Sequence, residues 1–362
     1  MKVDQVTPPK REPSPPTPVK VSFVITGKDV ERYVQSCLSS ILVQAETPGF
    51  EVIYTDGGST DKSVSLVSRM SETAEVPLSI VSEIDGKTIA YGRNVGLARA
   101  RGNIVAFVDA DCVIPLSWLR SVLDHLDASN NEQLVAVGGG YLPDPTSPFI
   151  NRMIYFSLST LLGSGGSSQF RYVTRERYTK SLPGGNVAYK RHAVTSTGSF
   201  DSRLNFCEDY DLNNRLLKRG FKILVEPGLY SVHRKEYTMS SLPKSMFTYG
   251  KGRAESIRLV GTRLLTVQVA LLIVYLAILP VVAFVLLGLS YIIGLVLLFS
   301  AIAIAYFGAE IRRYPALSRR EKILTILLWP CVATLILFSH ISYVAGFVFG
   351  SLRTSRMKRA TP

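Results

Sequence analysis

From Val21 to Val225, short apolar runs alternate with stretches whose apolar positions recur at helical spacing, the pattern of an α/β domain. Val21-Ser22-Phe23-Val24-Ile25 predicts a buried strand, and Val30, Tyr33, Val34, Cys37, Leu38, Ile41 and Leu42 then fall on one helical face. Glu51 to Thr55 gives a second strand, Asp56-Gly57-Gly58 a turn, and Ser59 to Met70 a helix. Further strands are predicted at Leu78 to Val81, Ile104 to Val108, Leu134 to Val137 and Lys222 to Val225, and further helices over Trp118 to Leu126 and Asp209 to Arg219. Residues 160–181, rich in Gly, Ser, Arg and Tyr, read as a long loop, either functional or an ordinary surface connection. In open α/β sheets ligands gather at the carboxyl edge of the strands, and the polar clusters of this chain fall at such edges.

After Tyr237 the pattern changes. Residues 240–261 mix Leu242, Met246, Phe247, Ile257, Leu259 and Val260 with Lys244, Lys251, Arg253 and Arg258, a composition suited to the headgroup plane of a membrane. Thr266 to Gly308 is a run of 43 residues without a charged side chain, enough for two crossings with a break at Gly288-Leu289-Ser290. Ile323 to Leu352, 30 residues, is either a third crossing or a hairpin re-entering around Pro330; three crossings is the preferred reading. The predicted organisation is a disordered Pro-rich tail (1–20), a catalytic domain (21–237) and an interfacial segment (238–263), followed by an all-α transmembrane region (264–352). Its helices are expected over 264–287, 291–308 and 323–350, ahead of a basic tail (353–362).

Charge sharpens this picture. The 362 residues carry a net charge of +13, and residues 251–362 hold 13 Lys and Arg against 3 Asp and Glu. These cations abut the apolar runs, where lipid phosphates attract them, which argues against both a wholly soluble protein and a nucleic-acid partner. A transporter would place ionisable residues inside its spans, and here those runs hold only His340. Cys37, Cys112, Cys207 and Cys331 lie far apart, giving neither a disulfide framework nor a zinc motif, in keeping with a cytosol-facing domain. The first 20 residues have six prolines and no apolar segment, unlike a signal peptide.

Four polar constellations follow one another along the α/β part: Val21 to Gly27; Asp56-Gly57-Gly58-Ser59-Thr60-Asp61; Arg93-Asn94-Val95-Gly96 with Asp109-Ala110-Asp111; and Gly184 to Tyr189 with Glu208-Asp209-Tyr210-Asp211-Leu212. Side chains alternate along a strand, so Asp109 and Asp111 are expected to point the same way and to share one ligand, Mg2+ or Mn2+. The plainer alternative is turn or capping aspartates. Glu208 and Asp209 open a helix, where carboxylates complement the dipole, and a carboxylate there is also able to take a proton from an attacking hydroxyl. Arg93 either neutralises a diphosphate or joins an ordinary surface pair. His233 is a candidate further metal ligand, with Arg234 and Lys235 beside it as candidate phosphate grips.

The ordered set resembles the family 2 inverting nucleotide-sugar glycosyltransferases of GT-A fold, over roughly Val21 to His233. The resemblance implies that Asp109 faces the nucleotide ribose, that Asp111 holds the metal on the diphosphate, and that Asp209 is the general base with Glu208 in support. It likewise sets Thr26, Asp56, Arg93 and Asn94 on the donor side and Gly185 and Asn186 in an acceptor or donor loop. Two departures stand out: Gly57 replaces an acidic residue, and Thr26-Gly27-Lys28-Asp29 stands where the family commonly has Pro-Thr-Tyr-Asn, without the stacking tyrosine.

The expected activity is transfer from a UDP- or GDP-linked sugar to a hydroxyl of a lipid-linked or growing glycan, by an integral membrane enzyme whose catalytic domain faces the cytoplasm. The alternatives are a polyprenyl- or dolichyl-phosphate sugar synthase, whose acceptor needs no general base, and a non-catalytic membrane scaffold with a degenerate transferase domain. A processive synthase is disfavoured, since no Gln-x-x-Arg-Trp motif occurs.

Overall fold

The apolar runs of the sequence become the strands of a central sheet. The computed structural model describes residues 18–46, 49–82, 88–128, 131–164, 167, 169–260 and 300–359. Its strands are β1 (Val21–Gly27), β2 (Phe50–Asp56), β3 (Leu78–Val81), β4 (Ile104–Asp109), β5 (Cys112–Val113), β6 (Leu134–Gly138), β7 (Tyr141–Pro143), β8 (Arg177–Tyr178), β9 (Asn186–Lys190), β10 (Lys222–Val225) and β11 (Ser231–His233). Among the described residues, eight of them form one sheet in the order β3-β2-β1-β4-β9-β6-β10-β8, and β5-β11-β7 form a small second sheet. The strands β3, β2, β1 and β4 run parallel, and β9 enters antiparallel between β4 and β6.

Alternation along the strands divides the core between the two faces of the sheet. Phe23 and Ile25 point to one face, where Cys37, Leu38 and Ile41 of α1 (Val34–Leu42) and Trp118 of α4 (Trp118–Leu126) cover them. Val24, Val105 and Phe107 point to the other, under Ala90 and Leu97 of α3 (Ile89–Arg99) and Leu212 and Leu216 of α8 (Glu208–Lys218). Helix α2 (Ser63–Thr73) starts later than the Ser59 expected from periodicity, because Asp56 binds the backbone N–H groups of Gly58 and Ser59 and holds residues 57–60 in a turn. Register then lines up the carboxyl edge: Thr26 lies opposite both Thr55 and Asp109, and Gly27 opposite Asp56.

Helix α3 escaped the hydrophobic pattern because its buried positions include Gly92, Arg93 and Gly96, not an apolar stripe. Gly96 is what lets it lie against β1, since a Cβ there would overlap the Val24 side chain. One turn earlier on the same face, Arg93 is thereby carried over the sheet edge. Helix α5 (Phe149–Ser159) also went unpredicted. It is buried almost all round, so it has no polar face to mark its period.

Beyond α6 (Leu161–Ser164) and α7 (Arg191–Ser196), the chain passes into α9 (Ser241–Val260), the helix described over residues 300–313 (α10), α11 (Arg319–Leu327) and α12 (Trp329–Arg359). The expected crossing at 264–287, and most of 291–308, lie outside the described residues. The expected helix 323–350 divides at Leu328 into α11 and α12, and α12 runs continuously through Pro330, so no hairpin turns there. Proline is tolerated in that first helical turn, where its missing N–H has no partner to lose. Residues Trp329–Leu352 are long and apolar enough to cross a membrane by length and composition.

Helix α12 is nevertheless packed against the α/β part. Val332, Leu335 and Ile336 join the core shared with Met153 and Phe156 of α5, and Phe156 lies 5.5 Å from the Tyr314 ring. Arg152 of α5 also pairs with Glu321 of α11. Along its second half α12 meets α9 at close range through glycines. A Cβ at Gly346 would overlap the Phe247 carbonyl, and one at Gly250 the Tyr343 carbonyl. Small residues spaced four apart, Gly346 and Gly350, are the usual means by which two helix backbones approach closely. Gly346→Leu should therefore lower the thermal midpoint of the detergent-solubilised protein, overpacking costing about 1–3 kcal/mol or more. Gly308→Leu, at a position with nothing within 4 Å of an added Cβ, should leave the midpoint close to wild type. Equal midpoints for the two variants would refute this packing.

Candidate active site

The site is assembled where β4 ends. Asp109 is the last residue of β4, and Ala110 and Asp111 form a turn before β5, so the alternation expected to align the two carboxylates stops between them. Their side chains go to different partners. Asp109 Oδ1 accepts from Arg93 Nη2 at 2.9 Å and Oδ2 from the Tyr141 hydroxyl at 3.1 Å. Asp111 Oδ2 lies 3.2 Å from His233 Nε2. The small sheet creates that second contact by pairing His233 of β11 with Cys112 of β5, which brings the histidine beside the turn.

The His233 ring is fixed from behind. Its Nδ1 lies 2.8 Å from the Tyr155 hydroxyl, and its face stacks on Tyr141 with centroids 4.7 Å apart. This leaves Nε2 as the nitrogen turned to Asp111. Among the described residues, Asp111, Cys112 and His233 place ligand atoms within 4.8 Å of one another. Burial drives the Cys112 thiol well above its usual range, which keeps it protonated and unsuited to a hard cation. Burial also opposes ionisation of Asp111, but the charges of His233 and Lys235 outweigh it and lower its pKa. A carboxylate and an oriented imidazole fit Mg2+ or Mn2+. Asp109, expected as a further ligand, is turned to Arg93 and Tyr141.

Arg93 is 3% exposed and bridges two carboxylates, Asp109 and Glu208. It is an internal tie and not the free cation expected on the donor side. Burial raises the Glu208 pKa to about 7 against the pull of Arg93, with neighbouring Asp209 pushing the same way. Glu208 is buried, whereas Asp209 is half-buried and accepts from the Gly184 N–H at 2.8 Å and from the Tyr210 N–H at 2.6 Å. Cys207, just before this pair, has φ 61°, a left-handed conformation uncommon outside glycine that turns the chain abruptly into α8.

The remaining expected residues divide by what holds them. Thr26 Oγ1 lies 2.9 Å from Thr55 Oγ1 at the strand edge. Asp56 is 3% exposed and occupied by its own turn, and Asn94 clasps Phe200 and Ser202 through its amide. Asn186 is fully buried, accepting from Trp118 Nε1 and donating to the carbonyls of Gly140 and Leu229, so its amide is spent inside the fold. Gly185 is required sterically, since a Cβ there would overlap the Asp109 carboxylate. Arg234 pairs with Asp144 at 3.2 Å, while Lys235 lies over the rings of Tyr237 and Tyr249. Tyr141 and Tyr155 were missed, because single aromatics carry no spacing signal.

The parallel sheet edge thus carries an Asp-Ala-Asp turn that Arg93 joins to a carboxylate pair on a helix start. Residues 22–195 match the family described as Glycosyl transferase family 2, so the chain carries a family 2 glycosyltransferase domain, with a GT-A-like α/β core. Among curated relatives, it is 24% identical over 243 residues to the dolichyl N-acetyl-alpha-D-glucosaminyl phosphate 3-beta-D-2,3-diacetamido-2,3-dideoxy-beta-D-glucuronosyltransferase of Methanococcus voltae, covering 66% of this chain and 74% of that protein. It is 25% identical over 186 residues to the glucosyl-dolichyl phosphate glucuronosyltransferase of Haloferax volcanii, covering 51% of this chain but only 56% of that one. In fold it is similar to the mannosyltransferase PcManGT from Pyrobaculum calidifontis, solved with GDP-Man and Mn2+, with a TM-score of 0.56 at 18% identity over 94% of this chain and 90% of the other.

Removing Arg93 leaves two carboxylates without their shared cation, one of them deeply buried. Arg93→Ala should lose about 3–5 kcal/mol of stability by urea denaturation, the cost of breaking a buried pair from one side. A sign follows from Glu208. Its folded pKa is raised above the unfolded 4.5, so its contribution is fully present below pH 4.5 and is lost as pH rises through about 7. Without Arg93 that rise has less to oppose it, so the Arg93→Ala deficit should widen between pH 5 and 8. A deficit independent of pH would contradict the Glu208 pairing.

Proposed function

We propose that this chain is a membrane-attached inverting glycosyltransferase that moves a sugar from a nucleoside diphosphate to a hydroxyl of a lipid-phosphate-linked glycan. Residues 21–237 would be its catalytic domain, and the apolar region from 264 its attachment to the membrane, with the domain on the cytoplasmic side. The observation that carries the reading is the separation of roles in the Glu208-Asp209 pair. Glu208 is tied to Arg93, while Asp209 is oriented by the Gly184 N–H, half-open, and in position to accept a proton.

The donor sits at the carboxyl edge of β1, β2 and β4, near Thr26, Asp56 and Asp109. Asp111 and His233 would hold the divalent ion there, which when bound offsets the diphosphate charge. Asp209 takes the proton of the acceptor hydroxyl as its oxygen bonds to the anomeric carbon from the face opposite the diphosphate. The bond from that carbon to the diphosphate oxygen breaks, and the nucleoside diphosphate leaves with its electron pair. A single displacement inverts the configuration. Two relatives named for dolichyl-phosphate-linked substrates support the acceptor class. The apolar helix Trp329–Leu352 supports membrane attachment.

The decisive assay screens the full-length protein against GDP- and UDP-sugars with a membrane lipid extract as acceptor. Asp209→Asn should keep donor affinity and lose about 10² to 10⁴ in turnover, the contribution of a positioned base. Turnover near wild type would favour a phosphate oxygen as the nucleophile, which needs no base. Transfer should also stop in excess EDTA and return with Mn2+ or Mg2+, and His233→Ala should raise the Mn2+ concentration needed for half-activity about 10- to 100-fold. Undiminished activity in EDTA would exclude a divalent requirement.

A further inference from the structure

Arg253 of α9 is a cation the fold answers only in part. Its Nε and Nη1 are shielded from solvent and have no hydrogen-bond partner among the described residues. The guanidinium lies 4.9 Å from the centre of the Tyr210 ring and donates a hydrogen bond to the Tyr343 side chain of α12. Asp209 is within electrostatic reach, with one oxygen accepting from the Gly184 N–H and the other from the Tyr210 N–H. Buried guanidinium nitrogens left unpaired are costly, and native proteins rarely keep such a group without a use for it.

The surroundings indicate the use. Tyr249 stands one turn before Arg253 on the same face of α9, and Lys235 lies 5.8 Å from its ring. Tyr210, Arg253, Tyr249 and Lys235 therefore follow one another as neighbours from the Asp209 helix along α9. Helix α9 rests on α12 next to Arg253, and elsewhere on α12 Leu337, Phe338, Ile341, Val348 and Phe349 are exposed. An anion with an apolar tail fits this sequence of surfaces. From these contacts we infer that Arg253, with Lys235 over the neighbouring Tyr249 ring, binds the phosphate of the acceptor lipid, directing the attached sugar's hydroxyl to Asp209 and the hydrocarbon along α12. This rests on the transferase reading above and specifies its acceptor subsite.

The test uses full-length protein in detergent, with citronellyl phosphate as the lipid-phosphate probe, citronellol as its uncharged counterpart, and GDP and UDP as donor-side probes. Wild type should gain thermal stability with citronellyl phosphate and not with citronellol. In Arg253→Met the midpoint without ligand should equal or exceed wild type, because a buried unpaired charge has been removed. Citronellyl phosphate affinity should fall about 10- to 100-fold, the usual range for a charge-assisted contact, with GDP and UDP affinity within about twofold of wild type. Arg253→Lys, which keeps the charge but not the fork, should lie between.

An equal loss of nucleotide affinity would overturn the inference by assigning Arg253 to the donor diphosphate. Unchanged citronellyl phosphate binding in both variants, or a collapse of unliganded stability in both, would overturn it in favour of a structural arginine. Should wild type bind citronellyl phosphate through Arg253 yet transfer no sugar from any nucleotide donor, the transferase reading fails while the phosphate site stands.

Discussion

The site depends on one buried guanidinium. Arg93, itself buried, draws together α3, the end of β4 and the start of α8, three elements distant in sequence, by pairing with the part-exposed Asp109 and the buried Glu208. Removing an arginine from water costs several kcal/mol unless carboxylates answer it, and here two do. That requirement decides which carboxylates remain for chemistry. Asp109 and Glu208 are committed to the tie, so Asp111, one turn past the strand, and Asp209, one residue into the helix, are the ones left to face a ligand. Each half of the acidic motifs thus has an internal partner and an outward one.

How far this was readable in the sequence follows from what each element buries. Strands β1, β2 and β4 announce themselves because β-branched and aromatic residues fill both faces, and α8 because a polar start precedes Leu212 and Leu216. Helix α3 could not be read, since closeness to β1 demands Gly96 and the tie demands Arg93, and neither contributes to an apolar stripe. The relation between Asp109 and Asp111 was misread for a local reason: strand alternation was extended two residues past the point where the strand ends. His233 was identifiable as a candidate, but its pairing with Asp111 exists only because β11 lies against β5, and the tyrosines fixing its ring come from segments with no motif of their own.

The C-terminal helices show the complementary limit. Hydropathy sums over all faces of a helix and is blind to which face is covered. In α12 one face is shared with α5 and α9 while residues such as Phe338 and Phe349 remain open, so only part of its circumference is available to lipid. The Gly346 and Gly350 spacing was present in the sequence as the mark of close helix contact, but its partner was not, because α9 carries Lys251, Arg253 and Glu255 and looks like a surface helix.

Helix α9 also joins the apolar region to the chemistry. Gly250 and Gly252 are two residues apart, and at 100° per residue they face nearly opposite sides of the helix. On one side a Cβ would overlap the Tyr343 backbone of α12, and on the other the ring of Phe206. Phe206 immediately precedes Cys207, whose left-handed backbone turns the chain into Glu208 and Asp209. Packed protein shifts between discrete arrangements more readily than it compresses. At Gly250 and Gly252 there is no room for a side chain, so α9 touches α12 on one side and the segment leading into Asp209 on the other. Helix α12 and the segment that opens α8 are thus separated by the one helix α9, with contact on both sides.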